Sequence, residues 1–343
     1  MHRYLRSIGF SKLQDTEVLE ALLSRAVLPR SRTGIMAGDR EGSTIDQYQF
    51  PVSLNMGIAV VGERDARGTF HRDYYFPFLR SFDGTATEMA SWERHTERET
   101  YEGILDDYAS GISLIFYLTN SFHLREMLRM QMKPRVRQVF LTGLASEGRI
   151  LLPIEKPMED EEVARSRRKE EKKLYDAASK GDQDAIETIT ETEMNIMQSV
   201  SRRIESEDLY SVIDSVFMPT GVECDQYAIV GEIRGIRIKS NVFTHERVLD
   251  LRLLCNDCTF HVCINEADLE GVPAIGRRFK GRIWMQGEME FTEEAEEEAK
   301  QVAAEEIPEA ERLTGSGEMP APAMEDETLE AGDSDAQPED GEK

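Results

Sequence analysis

Residues 276–291, GRRFKGRIWMQGEMEF, alternate between two chemically unlike faces. Odd positions Phe279, Ile283, Met285, Met289 and Phe291 are apolar, while even positions Arg278, Lys280, Arg282, Trp284, Gln286, Glu288 and Glu290 are charged, polar or indole-bearing. A period of two places successive side chains on opposite sides of a strand, so this stretch predicts a half-buried strand. It constrains the rest of the chain, because one face needs a core to cover it. The other face is expected to turn a stripe of Arg278, Lys280, Arg282 and Trp284 outward.

Other segments are apolar on both faces and must be covered on both sides: residues 56–61, the aromatic run 69–79, and GISLIFYL at 111–118. A helix is predicted over 14–26, where Val18, Leu19, Leu22, Leu23 and Ala26 recur at three- and four-residue spacing. Asp15 and Thr16 are its candidate caps, and it ends before Pro29. Residues 30–47 read as a loop or weak edge strand. A short helix is expected over 122–131, then strands over 136–145 and 149–154 joined by a turn at 146–148. Residues 1–157 therefore predict an α+β domain with a largely antiparallel sheet and flanking helices.

Residues 158–206 are dense in Glu, Lys and Arg and predict a charged helical hairpin broken at Gly181-Asp182, glycine ending one helix and aspartate capping the next. LYDAASKGDQDAIETI has the grammar of paired ankyrin-type helices, but no second copy follows. Residues 207–291 return to β structure. After a helix or strand at 209–217 comes a long strand at 227–239, with Gly231 and Gly235 marking bulges. Strands 247–255 and 258–264 are then joined through Asn256-Asp257 as a hairpin, followed by one helical turn near 266–269. With the 276–291 strand, this order resembles a small barrel of the OB type, one strand short of the five it requires.

The net charge of −25 is unevenly placed. Residues 292–343 hold 19 acidic residues against Lys300, Arg312 and Lys343, a net −16, and leave −9 for the remainder. The 292–343 segment, poor in aromatics and rich in Glu, Asp, Pro, Ala and Gly, predicts a disordered acidic tail. Contact with nucleic acid or anionic lipid must then be local rather than global. No apolar run approaches a membrane-spanning length, and four cysteines do not make a secreted disulfide framework. The expectation is a soluble cytoplasmic protein with no membrane partner.

Three separated stretches, MHRYLRSIGF at 1–10, FMPTGVECDQY at 217–227 and GRRFKGRIWMQG at 276–287, resemble an uncharacterised bacterial family. That family is a domain of unknown function from anaerobic Gram-positive bacteria. The resemblance covers residues 1–291, leaves the acidic tail outside, and implies a bacterial cytoplasmic setting with no known activity, substrate or catalytic residue.

Four constellations bear on function. Cys255 and Cys258, with His261 and Cys263 beyond, have the spacing of half a zinc site. Strand parity sets Cys258 with Phe260, Val262 and Ile264, and turns His261 and Cys263 the other way, so buried core cysteines are the simpler reading and no metal or cofactor is assigned. Glu93, His95 and Glu97 are raw material for general acid–base work, yet charge runs are usually solvated faces, and no nucleophile elbow or phosphate-cradling glycine loop accompanies them. Arg278, Lys280, Arg282 and Trp284 combine phosphate neutralisation with a stacking surface suited to single-stranded nucleic acid. A second basic stretch, Arg165, Arg167, Arg168, Lys169, Lys172 and Lys173, is interrupted by Glu170 and Glu171. Last, the helical hairpin and the stripe can dock another protein, with the tail competing for the stripe. The expectation is a non-enzymatic binding protein with a protein partner. Nucleic-acid binding through the stripe is the alternative, and an enzyme built on Glu93, His95 and Glu97 a second.

Overall fold

A computed structural model of the chain describes residues 2–85, 90–94, 100–107, 112–154, 166, 170, 173–204, 215–220, 224–256 and 258–293. His95, Glu97, the basic residues 165–172 and the acidic tail from 294 onward lie outside them.

A 3-10 turn, Arg3–Ile8, comes first; the His2 side chain accepts from the Tyr4 amide, and Gly9 stops the turn at φ 88°. Helix α1, Thr16–Ala26, forms where the spacing predicts it. Asp15 caps it by accepting from the Glu17 amide, and Leu19, Leu23 and Ala26 are buried. Strands β1 (Arg32–Ala37), β2 (Thr44–Ser53), β3 (Met56–Arg64) and β4 (Phe70–Leu79) make one antiparallel sheet in sequence order. The 30–47 segment thus supplies an edge strand.

Among the described residues, the second sheet is mixed and has ten strands. Its members are β5 (Ala90–Arg94), β6 (Tyr101–Asp107), β7 (Ile112–Leu118), β8 (Pro134–Leu151), β9 (Val216–Pro219), β10 (Gln226–Ser240), β11 (Arg247–Cys255), β12 (Cys258–Asn265), β13 (Leu269–Glu270) and β14 (Arg278–Glu293). Helix α2 (Ser121–Arg129) leads from β7 to β8, and α3 (Gln183–Ile204) follows the break at Gly181-Asp182, where Asp182 accepts from the Asp184 and Ala185 amides.

Two strands were expected where β8 runs unbroken through residues 146–148. Glu147 and Gly148 pair with Arg282 and Gly281 of β14, so the ladder continues through the expected turn. Gly148 serves packing rather than turning: a Cβ there would lie 2.4 Å from the Phe279 ring, and one on Gly281 2.6 Å from it. Of the two bulges anticipated in β10, the one at Gly235 falls between Ile233 and Gly235, while Gly231 pairs with Phe279 in regular register.

β8 links the earlier and the later β regions. It pairs in parallel with β12 and antiparallel with β14, which joins strands from before residue 158 and after residue 206 in one sheet and one compact unit, residues 1–294. Pairings run in a circuit from β8 to β12, β11, β10, β14 and back to β8. Leu141, Ile229, Leu251, Phe260, Val262, Phe279, Ile283 and Met285 from these five strands share one buried cluster. A second cluster joins the first sheet, the Arg3–Ile8 turn and α1 to the opposite faces of the same strands, through Leu144, Val248, Cys263 and Trp284. Among the described residues, no helix is long and apolar enough to cross a membrane.

Candidate functional site

Parity in β14 is as the sequence predicts, but its even face is not outward. Phe279, Ile283, Met285 and Met289 are buried in the first cluster. Trp284 is 6% exposed, because the N-terminal turn and the first sheet cover it, and Arg278 is 4% exposed. The Trp284 indole stacks on Tyr4 (5.6 Å between centroids, 25°), lies 4.8 Å from His2 and 5.1 Å from Tyr117, and its Nε1 donates to Asp225 Oδ2 at 2.6 Å. Burial lowers the His2 pKa to about 4, so His2 meets the indole as a neutral ring. Arg278 Nε donates to the Leu152 carbonyl. Lys280 is half-buried, and Arg282 is exposed with Nε 3.4 Å from Glu147. The four residues do not form one open stripe, and Trp284 offers no free stacking surface.

Cys255 and Cys258 sit opposite one another, as the hairpin predicts, with both sulfurs in the apolar cluster. Cys255 Sγ donates to the carbonyls of Val230 and Val216 at 3.0 and 3.3 Å. Cys263 faces the other side and donates to the Ser7 carbonyl; burial pushes its thiol pKa far up. Among the described residues, no group of three or more His, Cys, Asp or Glu is arranged to hold a metal ion. Glu93 is exposed on β5 opposite Glu102, while its expected partners His95 and Glu97 are outside the described residues.

Two polar constellations emerge only in three dimensions. The first surrounds His261 on the outer face of β10, β11 and β12. Its Nδ1 lies 2.7 Å from Asp250 Oδ1, and its Nε2 3.0 Å from Asp83 Oδ2. Lys239 Nζ is 2.9 Å from Asp250 Oδ2, and Arg252 Nε 3.0 Å from Asp83 Oδ2. Asp83 arrives on the segment after β4, which Thr85 fastens by bonds to Val139 and Thr259. Burial pulls the His261 pKa down, but hydrogen bonds to Asp250 and Asp83, then their charges, outweigh it and the net shift is upward. Burial pushes Asp250 up, and the His261 hydrogen bond and Lys239 charge carry it below its usual value; for Asp83 the His261 hydrogen bond leads, and the result is again lower. With an acceptor at each ring nitrogen the imidazolium is favoured, and it has no lone pair to act as a base. The alternation of Asp250 and Arg252 with Leu249, Leu251 and Leu253 could have marked the face, but nothing in sequence brings Asp83 to it.

The second is a cleft of about 230 Å³ lined by Arg94, Tyr101, Arg125, Leu128 and Arg129. Arg94 and Tyr101 are cross-strand partners at one end of the β5–β6 pair. Arg125, Leu128 and Arg129 follow the i, i+3, i+4 spacing that puts side chains on one side of α2.

Fold and sites together define a strand-dominated mixed α/β protein whose most buried charges are paired internally. Residues 5–287 match the family described as "Domain of unknown function, E. rectale Gene description (DUF3881)", and the chain belongs to that family. No curated protein and no solved structure matches it. The three stretches that carry the family resemblance meet at Trp284 of the third, which stacks on Tyr4 of the first and donates to Asp225 of the second.

Proposed function

We propose that this chain is a non-enzymatic binding protein that docks a partner protein at one end of the β8–β12–β11–β10–β14 circuit. One observation carries this reading: Leu152, Val272 and Ile275 are 74%, 72% and 72% exposed on segments tied to one another. Arg278 binds the Leu152 carbonyl, Arg277 binds the Val272 carbonyl, and Gly276 and Arg277 bond to Ile233. Single exposed aliphatics are ordinary, but three on linked segments suit the apolar centre of an interface. The Arg149–Glu270 ion pair beside them suits its charged rim.

The circuit supports an OB-type barrel as the scaffold. β10, β11 and β12 form the meander, β14 follows, and β8, parallel to β12, supplies the fifth strand from earlier in the chain. On this reading the order of an OB barrel is permuted.

The test is affinity purification from native cells of the wild-type chain and of a Leu152→Asp, Val272→Asp, Ile275→Asp variant, each with and without nuclease. A protein recovered with the wild type, resistant to nuclease and reduced at least tenfold with the variant, is the expected result. Equal recovery with the variant refutes the surface. A nucleic acid lost on changing Lys280 and Arg282 to Ala would instead favour the single-strand reading. Thermal midpoints of the variants should stay near wild type, since exposed positions shift stability within about 0.5 kcal/mol.

A further inference from the structure

We infer that the cleft between the β5–β6 pair and α2 is an anion site for the phosphate group of a small phosphorylated metabolite. Three arginines, Arg94, Arg125 and Arg129, line one cavity of about 230 Å³. A single water needs only about 10–15 Å³, so a phosphate and a short organic portion have room. Guanidinium offers planar forks of N–H donors that match phosphate oxygens. Three such groups suit a dianionic phosphate better than one carboxylate. Tyr101, buried and set edge-on against Trp92 at 5.9 Å, and Leu128 provide the apolar wall such a ligand needs beside its charge.

The site is built rather than incidental. Arg125 is 7% exposed, and a buried guanidinium is held in place by its surroundings. Arg129 bonds to the Ala37 carbonyl and lies 3.1 Å from Asp39, whose carboxylate is 81% exposed and readily outcompeted. Arg94 and Arg125 are also engaged by neighbours. A ligand therefore joins an existing network, and the five N–H groups of each guanidinium allow both. A purely structural account covers Arg129, whose charge suits the last turn of α2, but it does not require Arg94 from another element to line the same space.

The experiment titrates the full chain with inorganic phosphate and, in a second arm, acetate, at constant ionic strength, following heat of binding and amide chemical shifts. Saturable phosphate binding is expected, with acetate at least tenfold weaker. Arg94→Gln and Arg129→Gln should each weaken phosphate by about tenfold, and the double variant should abolish saturation. Both residues are exposed at the cleft mouth, so these variants remain folded, as ligand-free melting would verify, even where Arg125→Gln does not. Absence of saturable binding to the wild type overturns the inference, and so does wild-type affinity in the double variant. Acetate binding as tight as phosphate overturns the phosphate assignment in favour of a carboxylate ligand.

Discussion

Each of the two sheets contains a buried carboxylate, and the two are neutralised by different chemistry. Asp46 on β2 receives Arg64 Nε at 2.9 Å, the Tyr48 hydroxyl at 2.8 Å and the Thr44 hydroxyl at 2.8 Å, with Arg32 at 3.5 Å. Asp250 on β11 receives His261 and Lys239. The first partner set is permanent across the physiological range, because arginine keeps its charge and the hydroxyls are neutral donors. The second contains an imidazole whose charge depends on pH. The Asp46 arginines also reach water, with the Arg64 and Arg32 side chains 29% and 36% exposed, whereas Lys239 is nearly as enclosed as the aspartate it meets. One network is a static clasp. The other ties the Asp83 segment to β12 through a titratable ring.

Removing each carboxylate is the strongest way to break that comparison. Asp250→Ala strands a buried ammonium and an imidazolium, and should cost about 3–5 kcal/mol in urea unfolding. Asp46→Ala leaves Arg64 and Arg32 able to find solvent, and should cost less, about 1–3 kcal/mol. Equal losses would show that enclosure of the partner is not what separates the two.

His261→Gln should cost about 1–2 kcal/mol near pH 6, since glutamine is uncharged and carries both its N–H donors on one nitrogen, whereas Asp250 and Asp83 sit at the two separate ring nitrogens of His261. The pH dependence is more diagnostic than the size. The folded pKa of His261 is raised above 6.5, so its contribution is full below pH 6.5 and is lost as pH rises through the folded value. Asp83, Asp250 and Asp46 have lowered pKa values, so theirs is present above about 3.8 and lost as pH falls through the folded values. His2 works in the opposite sense to His261. With a folded pKa of about 4, it makes stability rise with pH from about 4 to 6.5, because the unfolded chain binds the extra proton there. Urea midpoints measured from pH 4 to 9 should therefore peak near pH 6.5 in the wild type, and His261→Gln should flatten the alkaline fall. An unchanged alkaline limb would remove His261 as its source. The smallest effect calibrates the others: Glu270→Gln breaks an ion pair whose partners are both largely exposed, Arg149 and Glu270, and should change stability by no more than about 0.5 kcal/mol.

Much of the local structure was legible. The α1 cap at Asp15, the helix break at Gly181-Asp182, the Cys255–Cys258 register and the parity that sends Phe260 and His261 to opposite faces all depend on neighbours within a few residues. The β8 strand was legible only in halves, because Ser146, Glu147 and Gly148 carry turn chemistry, and only the Phe279 ring against Gly148 explains why the strand continues. Candidate site residues were harder. The sequence pointed to Arg278 and Trp284 as ligand-facing, and both are covered. It left Asp83, Arg125 and Arg129 unremarked, and these line or close the polar constellations.

By itself, the amino-acid order determined which residues of each strand share a face, since side-chain direction alternates with backbone geometry alone. It therefore placed Phe279, Ile283, Met285 and Met289 on one side of β14 and Trp284 on the other. Only the tertiary structure decided that the second side is also an interior. A strand's polar-looking face becomes core when a distant layer covers it, and here that layer is the N-terminal turn with the first sheet, seating Tyr4 on Trp284 across 280 positions of sequence. The same long-range closure brings Asp83 to His261 and sets Arg94 and Arg125 along one cleft, juxtapositions with no local periodicity to announce them.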